Sequence, residues 1–377
     1  MGVSRSFDNF TTAFNNLLRR TLVAHSEKKN IKRKKDLINK VELTKEQEAE
    51  IRAFFKEYYG KVIPPHWHRL YQSYTGVYRK DYFPEILFST RLEPKTNPYH
   101  EAEFLDDKNW LPSLFAGIEG LHIPTTYGAC VKGVCYTDVD GVLPKSDFLC
   151  RLKDVGKCVI KKTVDTSSGR DVKVCNIVDG GDTVSGKSLE EIVSAFGKNY
   201  IIQELVKQSA EIARLNETSF NTFRVMSYIC DGEIHVCPIA LRLGRNNATK
   251  DNIHYGGICV GVKPDGTLKS EAYSEYGEVA TEHPDSHVVF LGYTVLPNGT
   301  KTLEDMARKL HSRVLHLGIL SWDLGIDDTG NVVLIEMNSY GQSAWFCQMV
   351  NGEPLFGENT PKMLAMIQKT REHNGRG

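Results

Sequence analysis

The chain has 377 residues, with 47 Lys+Arg against 47 Asp+Glu, so no net charge draws it to nucleic acid or an anionic membrane. A hydrophobic fraction of 41% and a charged fraction of 25% are those of an ordinary soluble globular protein, long enough for two or three compact lobes. Nine cysteines scattered without CxxC spacing argue against a disulfide framework or a zinc site and for a reducing cytoplasm.

The N-terminal MGVSRSFDNFTTAFNN lacks the apolar run of a signal peptide, and no later segment approaches a membrane span. Gly2 with Ser6 fits the loose myristoylation pattern, which is short enough for chance matches to be common. The basic run Lys28–Lys35 reads first as a solvated helix face or linker, with peripheral contact to acidic lipid as the alternative. Ile51, Phe54, Phe55 and Tyr58 recur at helical spacing, so residues 1–60 read as a polar helical extension whose role stays open. The Pro- and aromatic-rich stretch 63–99 predicts irregular structure with short helices. From Val131 onward, β-branched runs broken by Gly and Asp-Gly turns take over, which makes the whole an α+β body.

KCVIKK (157–162) and RDVKVCNIV (170–178) read as paired strands joined by the hydroxyl-rich loop 163–169, which includes Ser168 and Gly169. Such a loop can bring backbone N–H groups to phosphate oxygens, with Lys161 at its base supplying charge, although many hairpins have similar loops. Ser188 and Glu191 form a capping box that opens a helix to Phe196. NYIIQELV (199–206) follows as a buried strand. Its end, Gln203-Glu204-Leu205-Val206, can offer backbone groups to an adenine edge or be an ordinary strand end.

Residues 221–244 predict a hairpin around Asp231-Gly232. That register pairs Asn221 with Arg242 and sends Arg224 to the opposite face, beside Ile239 and Leu241, unless a bulge intervenes. Spacing therefore favours Arg242 over Arg224 as a phosphate contact. Leu303, Met306, Ala307, Leu310 and Val314 line one face of a helix predicted over 302–317, with Gly318 placed to end it. The segment GILSWDLGIDDTGNVVLIEMNSYG (318–341) predicts a second hairpin, in which Asp323 faces Glu336 and Ser321 faces Asn338. Two directly opposed carboxylates repel unless something neutralises them, and a hard cation would do so. A merely wet polar face is the bland alternative. On this reading both carboxylates are dispensable for folding.

Taken in order, DDKNW (106–110), VIKK with TSSGRDV (159–172), IIQELVKQ (201–208), SFNTFRV (219–225), ALRLG (240–244), DNIHYGGICVGVKPDG (251–266), HPDS (283–286) and SWDLGIDDTGNVVLIEMNS (321–339) resemble the ATP-grasp superfamily. More narrowly they resemble its sugar-transfer-associated family, found with bacterial surface-polysaccharide genes, over roughly residues 60–360. The tract Ala240–Gly257 is also similar to the ribosomal-protein glutamate ligase type.

The resemblance implies an ATP-grasp fold, two α+β lobes clasping ATP. The implied division is a helical extension over 1–60, a substrate-side region over 61–130, a small lobe over 131–206 and a large lobe over 207–377. It implies that Lys161 and Lys145 contact nucleotide phosphates, that Glu204–Val206 form the adenine hinge, and that Glu211, with Gln208 as rival, holds the ribose. Asp323, Glu336 and Asn338 align with the metal ligands, so the implied cofactors are ATP and Mg²⁺, as a pair of ions that Mn²⁺ can replace. Arg224 or Asn252 would orient the acceptor acid, while His254 and His283 read as structural or substrate contacts.

Two departures stand out: Lys162 occupies a position where Pro often follows the strand Lys, and the glycine-rich loop keeps one Gly, with Arg170 in place of another. The implied activity is a cytoplasmic carboxylate–amine ligase, with a sugar acid or amino sugar of capsule or O-antigen among its co-substrates. A kinase that stops at phosphate transfer and a non-catalytic binding module are the competing readings.

Overall fold

The computed structural model describes residues 2–163, 172–248 and 250–368. Helices Gly2–Arg33, Lys35–Asn39 and Lys45–Tyr58 come first. The third starts at a capping box, in which Thr44 Oγ1 accepts from the Gln47 N–H and Gln47 Oε1 from the Thr44 N–H. Its Ile51 and Phe55 are fully buried, as their spacing predicts, with Phe54 and Tyr58 packed at the edge. These helices are built into the body: Leu37, Ile38, Ile51 and Phe55 share one core with Tyr71, Phe88, Trp345, Phe356 and Met363. The stretch after Ile63 forms short helices, His66–Thr75, Glu85–Leu87 and Glu93–Thr96, as its composition predicts.

Among the described residues the strands fall into two sheets. β1 (Leu121–His122) belongs to the larger one. The smaller sheet holds β2 (Thr126–Val131), β3 (Val134–Thr137), β4 (Gly141–Leu143), β5 (Gly156–Lys162), β6 (Val172–Val178), β7 (Gly181–Asp182) and β8 (Tyr200–Glu204), in the order β4-β3-β2-β8-β5-β6-β7. Helices Lys145–Arg151 and Leu189–Phe196 cover it through Phe148, Leu189, Ile192 and Val193. The predicted capping box of Ser188 and Glu191 is present. All nine cysteines are free thiols.

The larger sheet adds β9 (Phe223–Cys230), β10 (Glu233–Val236), β11 (Ala240–Leu243), β12 (Ile258–Val262), β13 (Leu268–Tyr273), β14 (Val279–Ala280), β15 (Ile319–Ile326) and β16 (Val332–Asn338). Its order is β1-β16-β15-β9-β11-β12-β13-β14, with β10 paired on β9. Strand alternation sorts the side chains. Phe223, Val225, Leu241, Trp322 and Leu324 pack on one face against helix Lys301–His311. Met226, Tyr228, Ala240 and Cys259 meet helix Trp345–Asn351 and the N-terminal helices on the other.

Three local readings of the sequence need correction. The helix predicted over 302–317 ends at His311, because residues 312–317 turn through successive tight bonds and His311 Nε2 lies 2.8 Å from the Leu317 carbonyl. Val314 is buried in that turn rather than on a helix face.

In the first hairpin, β9 and β10 keep the predicted register, with Cys230 opposite Glu233 and Ser227 opposite Val236. By β11 the register has slipped one residue, and Ala240 faces Arg224. Pro238, which has no N–H to give to a ladder, lies within that step. The slip puts Arg224 and Arg242 on the same face.

In the second hairpin the strands near the turn pair one residue out of the predicted register, Ile326 with Val332 and Leu324 with Leu334. A bulge at Ile335 then restores the predicted pairs, Asp323 with Glu336 and Ser321 with Asn338. Ile335 consequently lines the cleft instead of facing the core.

Candidate active site

A cleft of about 1610 Å³ is lined by residues of both sheets. Its floor is the polar face of β9, β11, β15 and β16. Asp323, buried at 3% exposure, is held there by two arginines. Arg224 Nε donates to Oδ1 at 2.7 Å and Arg242 Nη2 to Oδ2 at 2.9 Å. Burial would raise the Asp323 carboxyl, but the two guanidiniums outweigh it and hold the group below its ordinary range. Arg242 also lies 3.4 Å from Asp251, whose carboxylate accepts from the Thr222 N–H. Glu336, opposite Asp323, takes Lys108 Nζ at 2.8 Å. The repulsion expected between opposed carboxylates is therefore met by three protein cations.

Lys161, near the end of β5, is nearly buried and faces this floor. Among the described residues its ammonium has no hydrogen-bond or ion-pair partner. Burial first, then the charge of Lys108, pulls it down to about 8, against the opposing pull of Glu336. A desolvated ammonium without a counter-ion is poised for an anion.

The strand end after β8 lines the opposite wall with Gln203, Glu204, Leu205 and Val206. Gln203 Nε2 donates to the Pro124 carbonyl at 3.2 Å, which fixes its side chain. Glu204 accepts from the Thr125 N–H at 3.0 Å and meets His122 Nε2 at 3.2 Å. The other ring nitrogen of His122 lies 2.9 Å from Asp327 in the β15–β16 turn. One imidazole thus ties the small sheet to the large one. Burial lowers the His122 ring, but its bonds to Asp327 and Glu204 outweigh that and raise it.

Other predicted site residues stand off the cleft or are engaged in bracing it. Lys145 is exposed on its helix, 3.4 Å from Glu190, and does not line the cleft. Glu211 lies on the far side of helix Ala210–Leu215, whose Ala213, with Glu217 just beyond, lines the cleft instead. Gln208 does line it, but its amide is a brace that donates to the Asn216 and Ser219 carbonyls and accepts from the Asn221 N–H. Asn252 lines the cleft, yet its Oδ1 accepts from the His254 N–H at 2.8 Å and caps the short turn Ile253–Tyr255. His283 is buried against the Gly244 carbonyl at 2.8 Å and is structural. Ser168 and Gly169 lie outside the described residues.

Lys108, quoted in DDKNW but given no role there, is, like His122, a residue that the sequence did not single out. Only the fold carries it to Glu336. Its segment is anchored where the Lys108 N–H donates to the Thr163 carbonyl at 3.1 Å. Two buried acids, Glu85 and Glu93, brace the cleft's rim by accepting from the Ala344 and Gln342 N–H groups. Burial pushes Glu93 up to about 8.

The donor set suits a hard divalent ion. Asp323, Glu336 and Asn338 offer carboxylate and amide oxygens on one face, the ligand type Mg²⁺ takes. Each Asp323 oxygen gives one lone pair to an arginine and keeps another, while Glu336 and Asn338 are more open.

The chain matches the family model described as sugar-transfer associated ATP-grasp over residues 87–362. Among solved structures it is similar to an L-amino acid ligase from Bacillus licheniformis, at 13% identity over 66% of this chain and 43% of that one, with a TM-score of 0.34. It is similar to a biotin carboxylase from Campylobacter jejuni at 13% identity, 72% and 50% coverage and a TM-score of 0.39. For the biotin carboxylase domain of Hydrogenobacter thermophilus 2-oxoglutarate carboxylase the figures are 15%, 72%, 47% and 0.38. The chain spans about half the length of these proteins. No curated protein matches it by sequence. With the family model covering well over half of its length, the chain belongs to the sugar-transfer-associated ATP-grasp family and has the α+β ATP-grasp fold.

Proposed function

We propose that this protein is an ATP-dependent ligase that activates a carboxylate as an acyl phosphate and couples it to an amine. The observation that carries the reading is Lys161, a buried ammonium without a partner among the described residues, facing a wall of carboxylate, amide and guanidinium groups. The cleft exceeds the roughly 300–1,000 Å³ of a one-ligand pocket, so a nucleotide and a second substrate fit together. Family membership supplies the expectation of ATP; the sugar acid or amino sugar as co-substrate, and a role in capsule or O-antigen assembly, extend it.

In this reading Lys161 and Lys108 offset charge on the phosphates as it shifts toward the leaving ADP oxygen. Glu204 to Val206 seat the adenine edge, with Glu204 fixed by Thr125 and His122. Mg²⁺, held by Glu336, Asn338 and Asp323, would polarise phosphate oxygens as a Lewis acid. Arg224 and Arg242 keep Asp323 in one rotamer and present their remaining N–H groups to the acid substrate. Asn252 shapes the acceptor end of the cleft.

The test is ADP release with Mg²⁺ATP across a panel of uronic acids paired with amino acids and amino sugars. A ligase gives ADP and free phosphate only when acid and amine are both present. Phosphate retained on the product would make the protein a kinase. No thermal shift with millimolar nucleotide would remove ATP from the scheme, since ligand at 100 Kd is worth about 2.7 kcal/mol.

A further inference from the structure

The amine has an unsolved problem in this scheme. Near neutral pH an alkylamine is protonated and has no lone pair to attack with, so a base must take its proton. None of the residues assigned so far is such a base, because Lys161, Arg224, Arg242 and Lys108 are cationic and the cleft-floor carboxylates are paired.

Beside the cleft lies a recess of about 90 Å³, and His254 and Ser343 line both. His254 stands on the turn Ile253–Tyr255, which Asn252 caps and Gly256 closes in a left-handed conformation at φ 93°. Its Nδ1 lies 2.7 Å from Glu275 Oε2. Glu275 is held ionised: burial would raise it, but the bond to His254 and the charge of Lys34 outweigh burial and lower it. An ionised carboxylate only accepts, so Nδ1 is the donor to Glu275, and in the neutral ring the lone pair is then on Nε2. Among the described residues Nε2 has no partner.

Glu275 is itself fixed. Lys34, which follows the long N-terminal helix, is buried at 6% exposure with its ammonium 3.4 Å from Glu275 Oε1 and 3.4 Å from the centre of the Trp345 ring. Tyr74 donates to the Glu275 carbonyl at 2.7 Å. Glu27 and Glu85 also line the recess, and burial raises both carboxyls, so three acidic side chains face one ammonium there. Lys250 and Asp251 line the cleft just before the turn that carries His254.

We propose that His254 is the general base for the amine nucleophile, which enters at this recess, and that Glu275 and Lys34 are its positioning residues. The proposal rests on the ligase reading above. His254 Nε2 takes one proton from R–NH₃⁺, and the freed pair forms the C–N bond to the acyl carbon. The C–O bond to phosphate then breaks with its electrons on the leaving oxygen, and the second N–H proton leaves with it as HPO₄²⁻. Glu275 stabilises the imidazolium that results. The buried N-terminal lysine thereby gives the helical extension a part in the chemistry.

Two measurements on the full chain test this. In the first, ¹⁵N-histidine NMR from pH 5 to 9, assigned with His254→Gln, should show the Nδ1–H tautomer. Its midpoint should fall in Glu275→Gln and rise in Lys34→Met. An Nε2–H tautomer, or a midpoint unmoved by Glu275→Gln, overturns the proposal even if no substrate has been found. In the second, ADP release is compared with D-galacturonate as acid and either ethanolamine or hydroxylamine, which is unprotonated at neutral pH and needs no base. The ethanolamine-to-hydroxylamine rate ratio should fall about a hundredfold in His254→Gln, the scale of general-base catalysis. An unchanged ratio overturns the proposal. No ADP release by the wild type with either nucleophile counts against the ligase reading with this acid, and the NMR result then decides the state of His254.

Discussion

Lys161 and Asp323 are both buried ions, yet they answer to mutation in opposite ways. Lys161 is charged, desolvated and, among the described residues, unpaired, and its ammonium is depressed from 10.5 to about 8. That depression corresponds to something on the order of 3 kcal/mol of destabilisation at neutral pH. Lys161→Met should therefore raise the melting temperature of the free protein while weakening ADP binding at least tenfold; differential scanning fluorimetry and calorimetric titration read the two effects. Between pH 8 and the unfolded value the unfolded chain binds more protons, so this residue's contribution to stability improves as pH rises. Nucleotide affinity runs the other way. The anion favours the ammonium, so binding in the wild type should weaken as pH climbs past about 8 and stay flat in Lys161→Met.

Asp323 is the opposite case, an anion shared between two buried cations. Removing one member of such a set leaves charge uncompensated and costs roughly 3–5 kcal/mol. Asp323→Asn should lower the melting temperature markedly. Glu336→Gln, at a half-buried position beside buried Lys108 and Lys161, should lower it less than Asp323→Asn while abolishing turnover. Thermal unfolding of the two variants side by side checks this. The polar-face argument made both carboxylates dispensable for folding, and the two variants test it residue by residue.

At the scale of elements, the hairpins show what periodicity can and cannot reveal. The pairing of Asp323 with Glu336 was legible from a turn centre and simple counting, although the strands reach it through a bulge at Ile335 that counting did not include. The same counting misplaced Arg224, because it carried the β9–β10 register past Pro238. The signal was there: a proline inside a predicted strand marks a break in the ladder. Lys145 and Glu211 stand off the cleft for another reason. Their roles came from resemblance, and the helices that carry them turn those side chains away from the cleft. Lys108 and the His122 bridge were not legible, since each joins segments far apart in sequence that only the packed sheets bring together. That bridge makes a prediction of its own. The raised His122 ring contributes stability that is fully present below its unfolded value, near pH 6.5, and is lost as pH rises through its folded value. The melting-temperature gap between wild type and His122→Ala should be widest near about pH 6 and close on the alkaline side. A gap constant with pH would mean that the imidazole fills space and does not bridge charges.

Over the whole molecule, the first sixty residues decide how the large sheet is covered. An amphipathic extension that could be removed would leave its apolar residues in contact mainly with one another. Here Leu37, Ile38, Ile51 and Phe55 touch the layer that also holds Tyr71, Trp345, Phe356 and Met363, and Lys34 seats its charge on Trp345. Leu17, Leu18 and Leu22, by contrast, are at least half exposed. The two ends of the segment therefore differ in kind. Removing residues 1–22 should leave a folded protein with a melting temperature within a few degrees of wild type. Removing residues 1–60 strips a layer from the core of the large sheet; four buried side chains at about 1.5–3 kcal/mol each approach the whole stability of a domain. The longer deletion should therefore be insoluble or lose cooperative unfolding, as read by size-exclusion chromatography and calorimetry. A soluble, cooperatively folding protein lacking residues 1–60 would show that the large sheet closes its own core without this layer.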